Sequence, residues 1–232
     1  MYRLEVMLDF VVLGIEHALS ATTTLRAEVY SKRVSQLNHR FENVFERVSL
    51  VPELLPDRFE IQPLSAMIRG IELGIEGGDS GRLTWWANLV RSTAEETLAT
   101  GEFDRSWDER WSIKAGGEWL RNAWTLTASA VLRSGWPINT LTLVDDELVA
   151  GPYNTERLAN FISLNVRASR RVPKEHGELE WYIEVSNLLD RSNFCCLDYT
   201  VTPGENGQLP TLGTSRTDLL GLVPNFGMRW QF

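Results

Sequence analysis

Apolar and polar side chains alternate with a period of two in run after run along this 232-residue chain, from Val11 to the last residue. Successive side chains of an extended strand point to opposite faces, so each run describes a strand with one apolar and one polar face. Val11, Leu13, Ile15 and Leu19 oppose Gly14, Glu16 and Ala18, with His17 taking one position of the apolar set. Leu25, Ala27 and Val29 oppose Arg26, Glu28 and Tyr30. Met67, Ile71, Leu73 and Ile75 oppose Gly70, Glu72, Gly74 and Glu76, and Leu83, Trp85, Ala87 and Leu89 oppose Arg82, Thr84, Trp86 and Asn88. The second half repeats the pattern in runs starting at Trp111, Trp124, Ile162 and Leu179. A terminal run from about Leu222 puts Phe226, Met228, Trp230 and Phe232 on one side and Asn225, Gly227, Arg229 and Gln231 on the other. Nine strands are predicted. The stretch IEHALSATTTLRAEVY holds several good helix formers, but its Thr run and its better fit to period two favour strands.

Short and long connections interleave strictly. Tight turns are predicted at SATT, GGDSG, LRNA and PKEHG, and long links at about Gln36 to Leu64, Leu98 to Arg105, Pro137 to Leu158 and Thr200 to Gly221. An up-and-down antiparallel sheet with its short turns at one end and its long links at the other has this order, and a Greek-key sandwich does not arise from it naturally. The fold class read from the sequence is therefore all-β, an up-and-down antiparallel sheet of about nine strands.

Two environments reward such strands. A soluble sheet packs its apolar face on a protein core, whereas a transmembrane barrel turns that face to lipid and its polar face to a wet interior. Three features favour the barrel. The polar face carries Arg, Glu and Lys repeatedly while the apolar face is rarely broken by charge. Trp119 and Trp124 flank a tight turn, and Trp107, Trp111 and Trp136 lie toward long links, as two aromatic girdles would; Trp111, Trp119, Trp124 and Trp136 are the girdle candidates. The split between tight turns and long links matches periplasmic and extracellular ends. The predicted segment is thus a partial transmembrane β-barrel.

Other functions find little support. The formal charge of -8, with no basic stripe, argues against nucleic acid as a partner. Cys195 and Cys196 are adjacent, and His17, His39 and His176 lack ligand spacing, so neither a metal site nor a cofactor is expected. No Ser, Cys or His stands in a familiar catalytic motif, and no enzyme activity is expected. Glu16, Glu28, Glu72, Glu118, Glu180 and Glu184 read as solvated or salt-bridged wall residues rather than acid/base pairs. No stretch approaches the roughly 18 to 20 apolar residues of a membrane helix. Glu5 and Asp9 interrupt the one segment that resembles a secretory signal.

In several places the chain resembles the C-terminal part of a TonB-dependent outer-membrane receptor. These are RSWDERWSIKAGGEW, LRSGWPINTLTL before a long link, NTERLANFISLNVRASRRV, and LEWYIEVSNLLDRSNF followed by a last strand ending on Phe232. EVSNLLDRSNF is similar to the family strand with an Asn-Leu-Phe-Asp type motif, Leu189 standing where an aromatic is usual. The resemblance spans nearly all of residues 1–232, yet covers less than half of the family's barrel of about 22 strands. Nine is odd, whereas single-chain bacterial barrels have even numbers. A C-terminal fragment with no plug domain is therefore expected. The resemblance implies location in the outer membrane of a Gram-negative bacterium, with lipid around the wall. It also implies recognition of Phe226, Met228, Trp230 and Phe232 by the barrel-assembly machinery. The complete protein would import a scarce ligand such as a ferric siderophore or cobalamin. The expected partners are the missing N-terminal barrel and plug, and TonB only through that plug. A small self-contained or adhesin-like outer-membrane barrel and a soluble β-sandwich binding module are the alternatives.

Overall fold

A computed structural model describes residues 7–44, 51–55, 57–79, 81–144, 147–203 and 210–232. Nine long strands form one wall: β1 (Met7–Ser20), β2 (Thr23–Ser35), β3 (Ser65–Gly78), β4 (Leu83–Leu98), β5 (Trp111–Arg121), β6 (Trp124–Arg133), β7 (Phe161–Lys174), β8 (Gly177–Ser186) and β9 (Val223–Gln231). Each pairs antiparallel with its neighbour in the chain, so sheet order and chain order coincide. All nine runs read from the alternation are strands of this wall. Glu5, Ser80 and the link residues 45–50 and 204–209 lie outside the described residues.

Local chemistry closes the tight turns. Asp79 Oδ1 accepts the backbone N–H groups of Arg82 at 2.9 Å and Leu83 at 2.8 Å, tying β3 to β4. Asn122, with φ of 55°, takes the left-handed conformation that a two-residue hairpin loop needs and that Asn tolerates. Gly177, with φ of +119°, opens β8 where a Cβ would fall 1.9 Å from the Gln231 carbonyl oxygen. No side chain fits there.

The links differ from their predicted bounds. Gly101–Asp104 folds back on the end of β4, so the second long link runs on to Arg110 rather than ending at Arg105. Pro137, predicted as the start of the third long link, pairs together with Ile138 against Glu156–Arg157. The last link begins at Asn187 rather than Thr200, and it holds a separate hairpin of Phe194–Thr202 with Thr211–Asp218. FCCLDYTVT alternates much as a wall strand does, and alternation alone does not say which sheet a strand joins. Two further short hairpins, Arg40–Asn43 with Arg58–Ile61 and Leu141–Val144 with Glu147–Ala150, complete the links.

Register fixes the slope of the wall. One hydrogen-bonded row crosses Thr23, Gly77, Trp85, Gly117, Ala128, Val166, Val185 and Pro224. It starts at the tight-turn end of β2 and finishes in β9 at Pro224, with Asn225 to Phe232 still below it. With the tight-turn ends taken as level, a slip of eight residues over seven inter-strand steps tilts the strands by about 38°, at ~3.3 Å per residue and ~4.8 Å per strand. Transmembrane barrels tilt by roughly 35–45°.

Burial is placed unusually. The buried apolar residues are Val34, Ile61, Ala66, Ile138, Leu141, Leu158, Cys195 and Cys196, all in the links or at strand ends beside them. Across the wall none of the apolar set is buried: in β7 Ile162, Leu164, Val166 and Ala168 are half-buried, and elsewhere many are exposed, among them Leu13 68%, Ile15 69%, Ile71 51%, Ile183 51%, Phe226 86% and Met228 71%. The chain exposes 15764 Å² in all. A folded soluble monomer of 26.4 kDa exposes about 10,600 Å². Among the described residues no second sheet covers the apolar face, which excludes sandwich packing in this structure. The sheet is not closed: β1 and β9 each keep one edge without a partner strand among those residues.

Candidate functional site

Three of the four long links converge on a buried polar cluster at their end of the wall. Arg40, from the hairpin after β2, donates to both Glu96 oxygens, at 2.8 Å and 2.6 Å, and to Glu42 at 2.9 Å. The Glu96 side chain, at the top of β4, is fully buried and also accepts from the Tyr153 hydroxyl at 3.1 Å. Ser106 donates to Glu42 at 2.5 Å and lies 2.9 Å from the Tyr153 hydroxyl. Arg157 pairs with Asp104 at 2.7 Å and with the buried Asp108, whose other oxygen accepts the Ala94 N–H at 2.6 Å. Asn154 ties the cluster to the Asp104 carbonyl at 2.7 Å.

Charges removed from water persist only when paired and hydrogen-bonded. Burial works to lower the Arg40 pKa, but the Glu96 hydrogen bonds and the charges of Glu42 and Glu96 outweigh it, leaving it above its ordinary value. Burial, then the Glu42 charge, pushes the Tyr153 phenol well above its ordinary value against the opposing Ser106 hydrogen bond. A recess of about 260 Å³ opens beside the cluster, lined among others by Arg40, Phe41, Glu42, Arg105, Ser106 and Trp107. It offers guanidinium and hydroxyl donors beside two aromatic rings. Sequence reasoning missed this site, because its members come from three links and no single stretch contains them.

The polar face of the wall is charged and hydrogen-bonded. Arg26 pairs with Glu28 at 2.5 Å, and Arg167 with Glu184 at 3.3 Å, the Arg167 guanidinium lying 3.8 Å from the Tyr182 ring centre. Large inner side chains lie flat across glycines of the next strand. Tyr30 covers Gly70, Trp86 covers Gly116 and Tyr182 covers Gly227, each pair directly opposite in register. A Cβ at Gly70 or Gly227 would meet the tyrosine oxygen at 2.4 Å.

The predicted girdle residues take two kinds of place. Trp119 and Trp124 are exposed on the apolar face at the tight-turn end, where the Trp124 ring meets Trp181 edge-on at 5.1 Å. Trp230 joins them, its Nε1 donating to the His176 carbonyl at 3.4 Å. Trp111 opens β5 half-buried, and Trp136 lies half-buried in the third link, 4.0 Å from the Arg133 guanidinium and edge-on to Trp107 at 4.6 Å. Phe226, Met228, Trp230 and Phe232 share the apolar face of β9 and its extension, all exposed.

EVSNLLDRSNF turns out to be a strand end and a fold-back. β8 stops at Ser186, and Asn187 and Asp190 take left-handed backbone conformations, φ 49° and 47°. The buried Asn193 side chain accepts from the Ile162 N–H at 2.9 Å and donates to its carbonyl at 2.7 Å, replacing a missing ladder partner at the top of β7. Asn165 Oδ1 likewise accepts the Asn187 N–H at 2.9 Å, and Asp190 Oδ1 the Leu222 N–H at 2.9 Å. The motif anchors the entry to β9.

No family model and no curated protein matches this chain. Among the described residues no group of three His, Cys, Asp or Glu side chains is placed to hold a metal ion. Cys195 and Cys196 are buried in the last hairpin and form no disulfide. His17 is exposed on the apolar face, His39 lies 3.9 Å from Glu60 in the first link, and His176 sits in a tight turn. No helix of the described residues is long and apolar enough to cross a membrane, which says nothing about strands.

Proposed function

We propose that this chain is the C-terminal part of a TonB-dependent outer-membrane receptor barrel, performing no catalysis itself. One observation carries the reading: among the described residues no second layer covers the apolar face of the wall, the opposite face carries most of the charges, and the buried apolar residues lie in the long links or beside them. Lipid is the partner that makes such a face stable. Water is not, because an apolar surface this large on a soluble protein drives association. The long links would face outward, and the recess beside Arg40 and Arg105 would be among the first surfaces a ligand meets. The full receptor would import a scarce ligand such as a ferric siderophore or cobalamin through movement of a TonB-coupled plug. Bare strand edges are costly in lipid, so β1 and β9 would pair with the remaining strands of that receptor.

Uptake tests the reading. Cells expressing this chain alone are expected to accumulate neither radiolabelled ferric siderophores nor cyanocobalamin above background. Cells expressing it joined to a receptor's plug and N-terminal strands are expected to accumulate one of them in a TonB-dependent way. Uptake by the chain alone would refute the fragment reading.

A further inference from the structure

Three arginines break the apolar face where it nears the long links. Arg33 in β2, Arg69 in β3 and Arg91 in β4 point to the same side as Val29, Ile71 and Leu89. In register Arg33 stands opposite Met67, Arg69 opposite Ser31 and Thr93, and Arg91 opposite Ile71 and Trp111. Each arginine is therefore one diagonal step from the last, and diagonal neighbours on one face lie ~7–8 Å apart. The diagonal descends in the same sense as the strand tilt, so the three stand near one level. Counting residues up from the tight-turn ends at the tilt found above puts them about 22–26 Å above those ends. The apolar band of an outer-membrane barrel is about 25 Å tall. The row coincides with its far rim.

All three side chains are exposed, and among the described residues none has a carboxylate within 4.0 Å. Asp9, opposite Arg33, Glu95, opposite Met67, and Asp104, opposite Glu95, are acids of this face in the same region; none closes an ion pair with the row, and Asp104 pairs with Arg110 and Arg157. Ser31 and Thr93 place hydroxyls on either side of Arg69. Unpaired guanidinium groups are tolerated beside lipid only near the interface. Planar guanidinium forks match phosphate in a way that water or a neutral head group does not.

We propose that Arg33, Arg69 and Arg91 form a docking site for a lipid head group that carries two phosphates, in the leaflet on the long-link side. Two neighbouring arginines can close on one phosphate, and the third, one strand further on, reaches a second. The proposal rests on the outer-membrane reading.

The test uses the full chain in detergent micelles and native mass spectrometry. Its probes are a diphosphorylated glucosamine-based glycolipid, its dephosphorylated form, phosphatidylcholine and inorganic pyrophosphate. The diphosphorylated lipid is expected to be retained over the dephosphorylated one and phosphatidylcholine. Arg33→Gln/Arg69→Gln/Arg91→Gln is expected to bind it about ten- to a hundred-fold more weakly. The corresponding triple lysine variant recovers part of that loss. Arg167→Gln/Arg171→Gln, on the polar face, leaves retention unchanged. Pyrophosphate retained as well as the lipid would overturn the lipid as occupant. Equal retention by the wild type and the glutamine variant, both inserted with the same strand content by circular dichroism, would overturn the site alone. A wild type that stays folded in the aqueous phase would overturn the membrane reading and this site with it.

Discussion

Glu96 is a carboxylate with no solvent exposure, held by Arg40 and the Tyr153 hydroxyl, with Arg105 3.7 Å away. Removing one partner of a buried pair leaves the other charge uncompensated, at about 3–5 kcal/mol. Glu96→Ala is therefore expected to loosen the links without unpairing the wall. Amide exchange should accelerate at Arg40–Asn43 and around Tyr153 while β7 and β8 keep their protection, and unchanged exchange at both link segments would count against the cluster as their anchor. Tyr153 adds a pH dependence. Its folded pKa is raised, so its contribution is complete below the ordinary phenol value of about 10 and declines as pH rises above it. Links should open progressively in that alkaline range, and Tyr153→Phe should remove the latest phenolate absorbance change. None of this was legible in the sequence. Arg40, Glu96 and Tyr153 look like ordinary surface residues until the fold brings them together.

At the scale of elements, the wall was legible and its decoration was not. Alternation found all nine strands because a one-residue slip would move every apolar side chain to the wrong face, so the pattern must be kept throughout. The same pattern mislocated the last link, since Phe194–Thr202 alternates but pairs with Thr211–Asp218 outside the wall. The apolar face also proved less uniform than expected, with Arg33, Arg69 and Arg91 at its long-link margin. Gly70 and Gly227 read only as members of the polar set; register shows each, like Gly116, lying under an aromatic ring. That packing predicts a mutant pair. Gly227→Val drives a side chain into Tyr182 and should cost about 1–3 kcal/mol of β8–β9 pairing, an overpacking penalty. Lower stability to urea is expected for Gly227→Val, and partial recovery for Gly227→Val/Tyr182→Ala. Equal loss in the single and double variants would show that the contact does not matter.

Among the described residues the molecule is a tilted, open wall with no second sheet over its apolar side. Its slope of about 38° follows from the register with the tight-turn ends taken as level, and its aromatic residues Trp119, Trp124, Trp181 and Trp230 gather on the apolar side near the tight turns. The account stands or falls on what touches that side. Spin labels placed one at a time from Leu179 to Val185 in β8, in the full chain reconstituted with lipid, measure this directly. Labels at 179, 181, 183 and 185 should be quenched by oxygen dissolved in the bilayer, and labels at 180, 182 and 184 by a water-soluble nickel complex, in strict alternation. Nickel access at both sets, or protection of the odd positions from both reagents, would contradict a wall that faces lipid.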